Sequence, residues 1–197
     1  MHHGRGGEIV LRVMSLPIGS WLLWAAALLL LGGFGREPSL GRRVLSGLLG
    51  VTLGLHLLAD FWPALTWAAL GALVLTTVAV AWQKLSSLTV AASLATAAVM
   101  VLSWPAAVAS GFDPVATAGF GIGLLAAATS PGLTAPATAL VGGLIGHLTL
   151  GHSFDGPATF APNTEQLFQV AATAAVAAAV LSLLIDKAWA LRGRLAR

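Results

Sequence analysis

The stretch PVATAGFGIGLLAAATSPGLTAPATALVGGLIGHLTLGHSF, residues 114–154, contains no Asp, Glu, Lys or Arg. As one continuous helix it would run about 60 Å, twice the roughly 30 Å of a bilayer's hydrocarbon core. It has to turn back, and the turn chemistry stands near its middle: Thr129-Ser130-Pro131-Gly132, with Pro136 soon after. The stretch therefore predicts a hairpin of two membrane spans, a short one over 115–128 and a longer one over 133–151.

Working outward, composition asks for the same solvent. Hydrophobic residues make up 57% of the 197-residue chain and charged residues only 9%, against about a quarter in soluble domains. So few charges cannot clothe a surface that faces water, whereas in a lipid bilayer Leu, Ala and Val face outward without cost. The lipid bilayer is thus the first expected partner. The formal net charge of +3 is too small, and its bases too scattered, to expect nucleic acid as another. With no cysteine there are no disulfides, thiolate metal sites or cysteine nucleophiles. With no tyrosine, Trp is left as the aromatic suited to the headgroup interface.

Elsewhere the charged residues cut the chain into further span-length pieces. A first span lies over 17–34, between Arg12 and Arg36, and opens on Trp21 and Trp24. A second covers 44–59 and a third 64–83, joined by the Asp60-Phe61-Trp62-Pro63 corner, where Pro63 suits a helix's first turn. A fourth covers 85–108, and its internal Pro105 is expected to kink or end it. A polar loop over 151–166 precedes the last span, 167–185, which stops at Asp186-Lys187. The expected fold is all-α: one polytopic transmembrane bundle of about seven spans filling residues 1–197. A secretory signal is the rival account of the first span, but Arg36, Arg42 and Arg43 just downstream oppose translocation and no A-x-A cleavage site follows.

Orientation follows from retention of Lys and Arg on the cytoplasmic side. Seven spans put Arg36, Arg42, Arg43, Lys84, Lys187, Arg192, Arg194 and Arg197 on one face, and Asp60, Asp113, Asp155 and Glu165 on the other. The N-terminus is then outside and the C-terminus cytoplasmic, in a bacterial cell membrane, with Arg5 and Arg12 alone on the wrong side.

Helices in lipid associate through close packing, for which small residues four apart are the signature. Gly50 and Gly54, Gly119 and Gly123, and Gly142 and Gly146 are the candidate helix-packing positions. The run Gly119, Gly121, Gly123 lacks the spacing and the preceding strand of a dinucleotide fingerprint.

Ionisable groups at membrane depth are costly and default to functional candidates. His56 and Asp60 stand four apart on one helical face, and His147 and His152 lie toward the same end of the sixth span. Together they are the candidate ligand- or cation-binding set, against the plainer reading in which Asp60 caps a turn and the histidines bond carbonyls or headgroups. No H-E-x-x-H motif or comparable spacing identifies a metal, and no cofactor is expected. An intramembrane hydrolase or metal-dependent enzyme would draw on Ser110 with His147 and the His56–Asp60 pair. Ser110 lacks the G-x-S-G setting of rhomboid-like proteases, however, and the spans fall in a different order. No catalytic residue is therefore assigned.

Two regions carry a family resemblance. The opening Ser20-Trp21-Leu22-Leu23-Trp24, the apolar run to Phe34, and then Arg36 and Arg42 resemble the start of the YphA-type membrane proteins of endospore-forming bacteria. The later Gly142-Gly143-Leu144-Ile145-Gly146-His147, with Phe160 and Leu167-Phe168, is similar to their C-terminal half, although His147 stands where an acidic residue is expected. The resemblance implies a multispan protein of the cell membrane and carries over no functional residue. The expected role is non-enzymatic: a small transport component, or an assembly partner binding another membrane protein or a second copy of itself.

Overall fold

A computed structural model describes residues 50–55, 58, 64–81, 86–130, 132, 134–153 and 162–195. The expected first span, His56, Asp60 and half of the loop before the last span lie outside these residues. The described elements are all helical: residues 50–55, then α1 (Ala64–Ala81), α2 (Ser87–Ser110), α3 (Pro114–Thr129), α4 (Thr134–Ser153) and α5 (Thr164–Leu195). Two helices are long and apolar enough to cross a membrane, α2 and the Thr164–Gly193 part of α5. At 16 residues, α3 is apolar but shorter.

The helix starts are written in local chemistry. Ser86 Oγ accepts from the Thr89 amide while Thr89 Oγ1 accepts from the Ser86 amide, a reciprocal cap that opens α2. Asp113 Oδ1 takes the Val115 amide at 2.9 Å, ahead of Pro114 in the first turn of α3, where no amide is missed. Asn163 and Gln166 exchange side-chain-to-backbone bonds at 2.8 and 2.9 Å at the start of α5. At the far end of α2, Gly111 adopts φ 73°, a left-handed conformation that glycine takes freely, and its amide reaches the Ala107 and Val108 carbonyls.

Pro105 lies inside α2, which continues to Ser110 and is closed by the Gly111 cap six residues after the proline. Past Asp186-Lys187, the expected end of the last span, α5 runs on as helix to Leu195. A charge ends an apolar span without ending a helix, and Lys, Ala, Leu and Arg are all good helix formers.

The helices are locked in two parallel pairs, each joining elements that are not consecutive in the chain. Between α3 and α5, a Cβ built on Gly119 would fall 2.8 Å from Thr173 Cβ, and one on Gly123 2.6 Å from Ala177 Cβ. Between α2 and α4, a Cβ on Gly142 would fall 2.6 Å from the Ser93 carbonyl oxygen and overlap the Thr96 hydroxyl. One on Gly146 would lie 2.9 Å from the Ala97 oxygen and 2.5 Å from Met100 Cβ. Real Cβ contacts are essentially never that short, so all four positions need hydrogen as the side chain. Gly50 and Gly54 differ: among the described residues, nothing lies within 4 Å of a Cβ there.

Around these seams sit two apolar clusters. One joins Leu70 and Leu73 of α1 to Leu140, Leu167 and Phe168, and the other joins Met100 and Trp104 of α2 to Ile122, Leu150 and Val170. Large apolar side chains also cover the outside, with Leu75 and Leu102 each 72% exposed and Phe112 70%. Meanwhile Ser93, Thr96, Ser130, Thr134, Thr138, Thr173 and Ser182 are buried.

The seams make a direct prediction. Gly142→Ala and Gly146→Ala should each destabilise the folded bundle by about 1–3 kcal/mol, the usual cost of overpacking. Gly71→Ala, with open space around its Cβ position, should be neutral or slightly stabilising. Denaturant titration of the three variants in detergent micelles would check this, and equal stability of all three would contradict the close approach.

Candidate functional site

The turns at Gly111–Asp113 and Ser130–Gly132 reverse the chain, so α2 and α4 end where α3 and α5 begin. This sets two chemically distinct ends of the bundle. The Asp113 end gathers Ser103 and Trp104 of α2, His147 of α4 and Glu165 and Gln169 of α5. The Gly132 end gathers Ser93 and Thr96 of α2, Ser130, Thr134 and Thr138 around the α3–α4 turn, and Ser182 and Asp186 of α5.

At the Asp113 end, His147 is the one member of the expected binding set whose side chain is described. It lies half-buried on α4, and its Nδ1 is buried with no hydrogen-bond partner. The Trp104 indole nitrogen and the Ser103 hydroxyl on α2 share that condition, and Trp104 is only 2% exposed. These are ligand-capable groups: an indole N–H only donates, while an imidazole and a hydroxyl can donate or accept. His152 lies in the last turn of α4, its side chain outside the described residues, and His56 and Asp60 lie outside them altogether. Whether the four residues meet is therefore not a property of the described structure.

Two neighbours drop out as reactive groups. Asp113 spends its carboxylate on the first amides of α3. Ser110 is the exposed last residue of α2, immediately before the Gly111 turn. Glu165 accepts a bond from Gln169 Nε2 at 2.9 Å, one helical turn on. Among the described residues, no group of three His, Cys, Asp or Glu stands close enough to hold a metal ion.

Sequence reasoning missed the Gly132 end. There Ser130 Oγ and Thr138 Oγ1 share a hydrogen bond of 2.9 Å, and Thr96 Oγ1 reaches across from α2 to the Thr138 carbonyl at 3.3 Å while also bonding the Ser93 carbonyl at 2.9 Å. Ser182 of α5 donates to the Gly132 carbonyl at 3.2 Å, and Gly132 is the left-handed residue of the turn, at φ 53°. These bonds tie α2, α4, the α3–α4 turn and α5 together at one level. The signal was legible, since Thr89, Ser93 and Thr96 follow a 4-then-3 spacing and Thr134 and Thr138 stand four apart, each placing hydroxyls on one helical stripe. Every hydroxyl bonded here has a protein partner, so the cluster acts as an interhelical tie.

Thr138→Val removes one hydroxyl at nearly constant volume and leaves the buried Ser130 Oγ without its partner. It should cost about 0.5–1.5 kcal/mol in a micelle unfolding titration. Thr149→Val, at an exposed residue that bonds only its own helix at Ile145, should change stability by no more than a few tenths. Equal effects would show that the Ser130–Thr138 bond contributes nothing net. Comparison of the chain with protein-family models, with curated proteins and with solved structures finds no match.

Proposed function

We propose that the chain is a non-enzymatic, multi-pass component of a bacterial cell membrane, with about seven spans, an outside N-terminus and a cytoplasmic C-terminus, serving transport. One observation carries the membrane part: large Leu, Val, Trp and Phe side chains, Leu75, Leu102 and Phe112 among them, stand exposed on the outside, while Ser and Thr are buried at the helix contacts beside the apolar clusters. In water that arrangement would expose apolar area and bury groups water could solvate. In lipid both costs vanish.

His147 supports the transport part. An ionisable ring on a helix otherwise free of Asp, Glu, Lys and Arg, with a buried unpartnered nitrogen, suits binding of a small polar ligand or cation during passage. His56, Asp60 and His152 join it in this proposal as the outer-side polar set. The glycine seams at 119, 123, 142 and 146 are consumed within the chain. A role as assembly partner, binding another membrane protein or a second copy, would therefore use another face. The resemblance to YphA-type membrane proteins belongs to the same proposal and assigns no functional residue.

The absence of cysteine makes topology directly testable with single introduced thiols. In intact cells, Ser110→Cys should react with a membrane-impermeant maleimide, and Lys84→Cys only after the membrane is opened. Labelling of both from one side would break the span count. For the ligand, His147→Ala should insert and fold normally yet lose a metal or metabolite that copurifies with the native chain. Unchanged retention in that variant would remove His147 from the transport reading.

A further inference from the structure

The ten residues Asp186–Leu195 of α5 are not explained by spanning. From Thr164 to Ile185 the helix rises about 33 Å, which by itself matches the hydrocarbon thickness. The helix then continues about 15 Å further, and residues 186–193 are all exposed. In that segment Trp189 is 65% exposed, and the Arg192 guanidinium stacks over its ring at 5.7 Å from the centroid. Ile185, Ala188, Trp189 and Arg192, spaced three and four apart on one helical face, line a shallow recess of about 220 Å³.

We propose that this recess is a binding site for the headgroup of an anionic phospholipid, an inference that rests on the membrane reading above. Trp189 lies about 6 Å and Arg192 about 10 Å along the helix beyond Ile185, within the headgroup layer. Side chains on a helix lean toward its N-terminus, which here means back toward the hydrocarbon, so Arg192 reaches down over the indole rather than out into solvent. With the guanidinium held over the indole, its N–H groups remain for an acceptor, and a phosphodiester oxygen pair is an acceptor that a planar guanidinium fits well. Ile185 and Ala188 complete the recess with an apolar floor suited to the glycerol and first acyl carbons. Charge points the same way: Lys187 and Arg192, followed in sequence by Arg194 and Arg197, outweigh the lone Asp186. Asp186 itself faces the Gly132 turn, 3.8 Å from a Cβ built there, and sits on a different side of the helix from Arg192.

The test uses the full chain reconstituted in phosphatidylcholine vesicles with a trace of spin-labelled phosphatidylglycerol or spin-labelled phosphatidylcholine, reading the motionally restricted lipid fraction. The native chain should prefer phosphatidylglycerol. Arg192→Gln should lower that preference about fivefold, Arg192→Lys should restore part of it, and Trp189→Ala should weaken it with all charges in place. Both positions are exposed, and far-UV circular dichroism of each variant checks that the helices are retained. A preference unchanged by Arg192→Gln would overturn the site while leaving the membrane reading intact. A chain that fails to enter vesicles at all would overturn both. Loss of the preference on adding millimolar inorganic phosphate at constant ionic strength would show a free-anion site instead and overturn the lipid as its occupant.

Discussion

The bundle depends on three places where one helix backbone touches another. At Gly142 and Gly146 the carbonyls of Ser93 and Ala97 stand where a methyl group would have to go, and at Gly123 the Ala174 carbonyl does the same. Consecutive helices are held together by their turns in any case. These contacts instead fasten α2 to α4 and α3 to α5, so each helix is locked to the one two places along the chain. Apolar burial cannot supply that lock where the surroundings are as apolar as the helix surface, and close van der Waals packing then has to. The reach of Thr96 to the Thr138 carbonyl follows from it, because a side chain as short as threonine bridges two helices only when their backbones are this close.

The burial of hydroxyls follows from the same constraint. Small residues at a seam leave room beside the backbone for serine and threonine, while the bulky buried side chains, Trp104, Met100, Phe168 and Leu140 among them, gather in the two clusters beside the seams. Ala dominates the buried face of α5, through Ala171, Ala172, Ala174, Ala175, Ala177 and Ala178, for the same reason. A buried hydroxyl bonded to a carbonyl loses little by its burial.

Much of this architecture was legible in the residues themselves. The spacing of charges located α1, α3 and α4 to within a few residues, and the turn residues from Thr129 to Gly132 marked the hairpin between α3 and α4. The glycine pairs on α3 and α4 pointed to close helix contact, although spacing alone does not name the partner helix. The end of an apolar span and the end of a helix are separate boundaries. Asp186 marks where the apolar part of α5 stops, but hydrogen bonding in the helix is indifferent to that change and carries it on to Leu195. Pro105 costs α2 one amide bond near its end, and the helix still completes its last turn and the Gly111 cap. The hydroxyl ties were missed because threonine in an apolar run counts as a weak helix former until a neighbouring carbonyl is known to face it.

The candidate site was less legible, because it depends on which helices adjoin, and one half of the expected set belongs to the chain before α1. For the half that is described, the difference between the two ends of the bundle matters more than any single residue. At the Gly132 end, Thr96, Ser130, Thr138 and Ser182 have met their bonding needs inside the protein, and a ligand would have to displace bonds already made. At the Asp113 end, Trp104 Nε1, Ser103 Oγ and His147 Nδ1 are buried and unspent. Each such group carries a desolvation cost of about 1–3 kcal/mol that a hydrogen bond would relieve. The two ends thus differ in how far their buried polar groups are bonded within the protein, a division that composition alone, nearly uniform along these helices, could not have revealed.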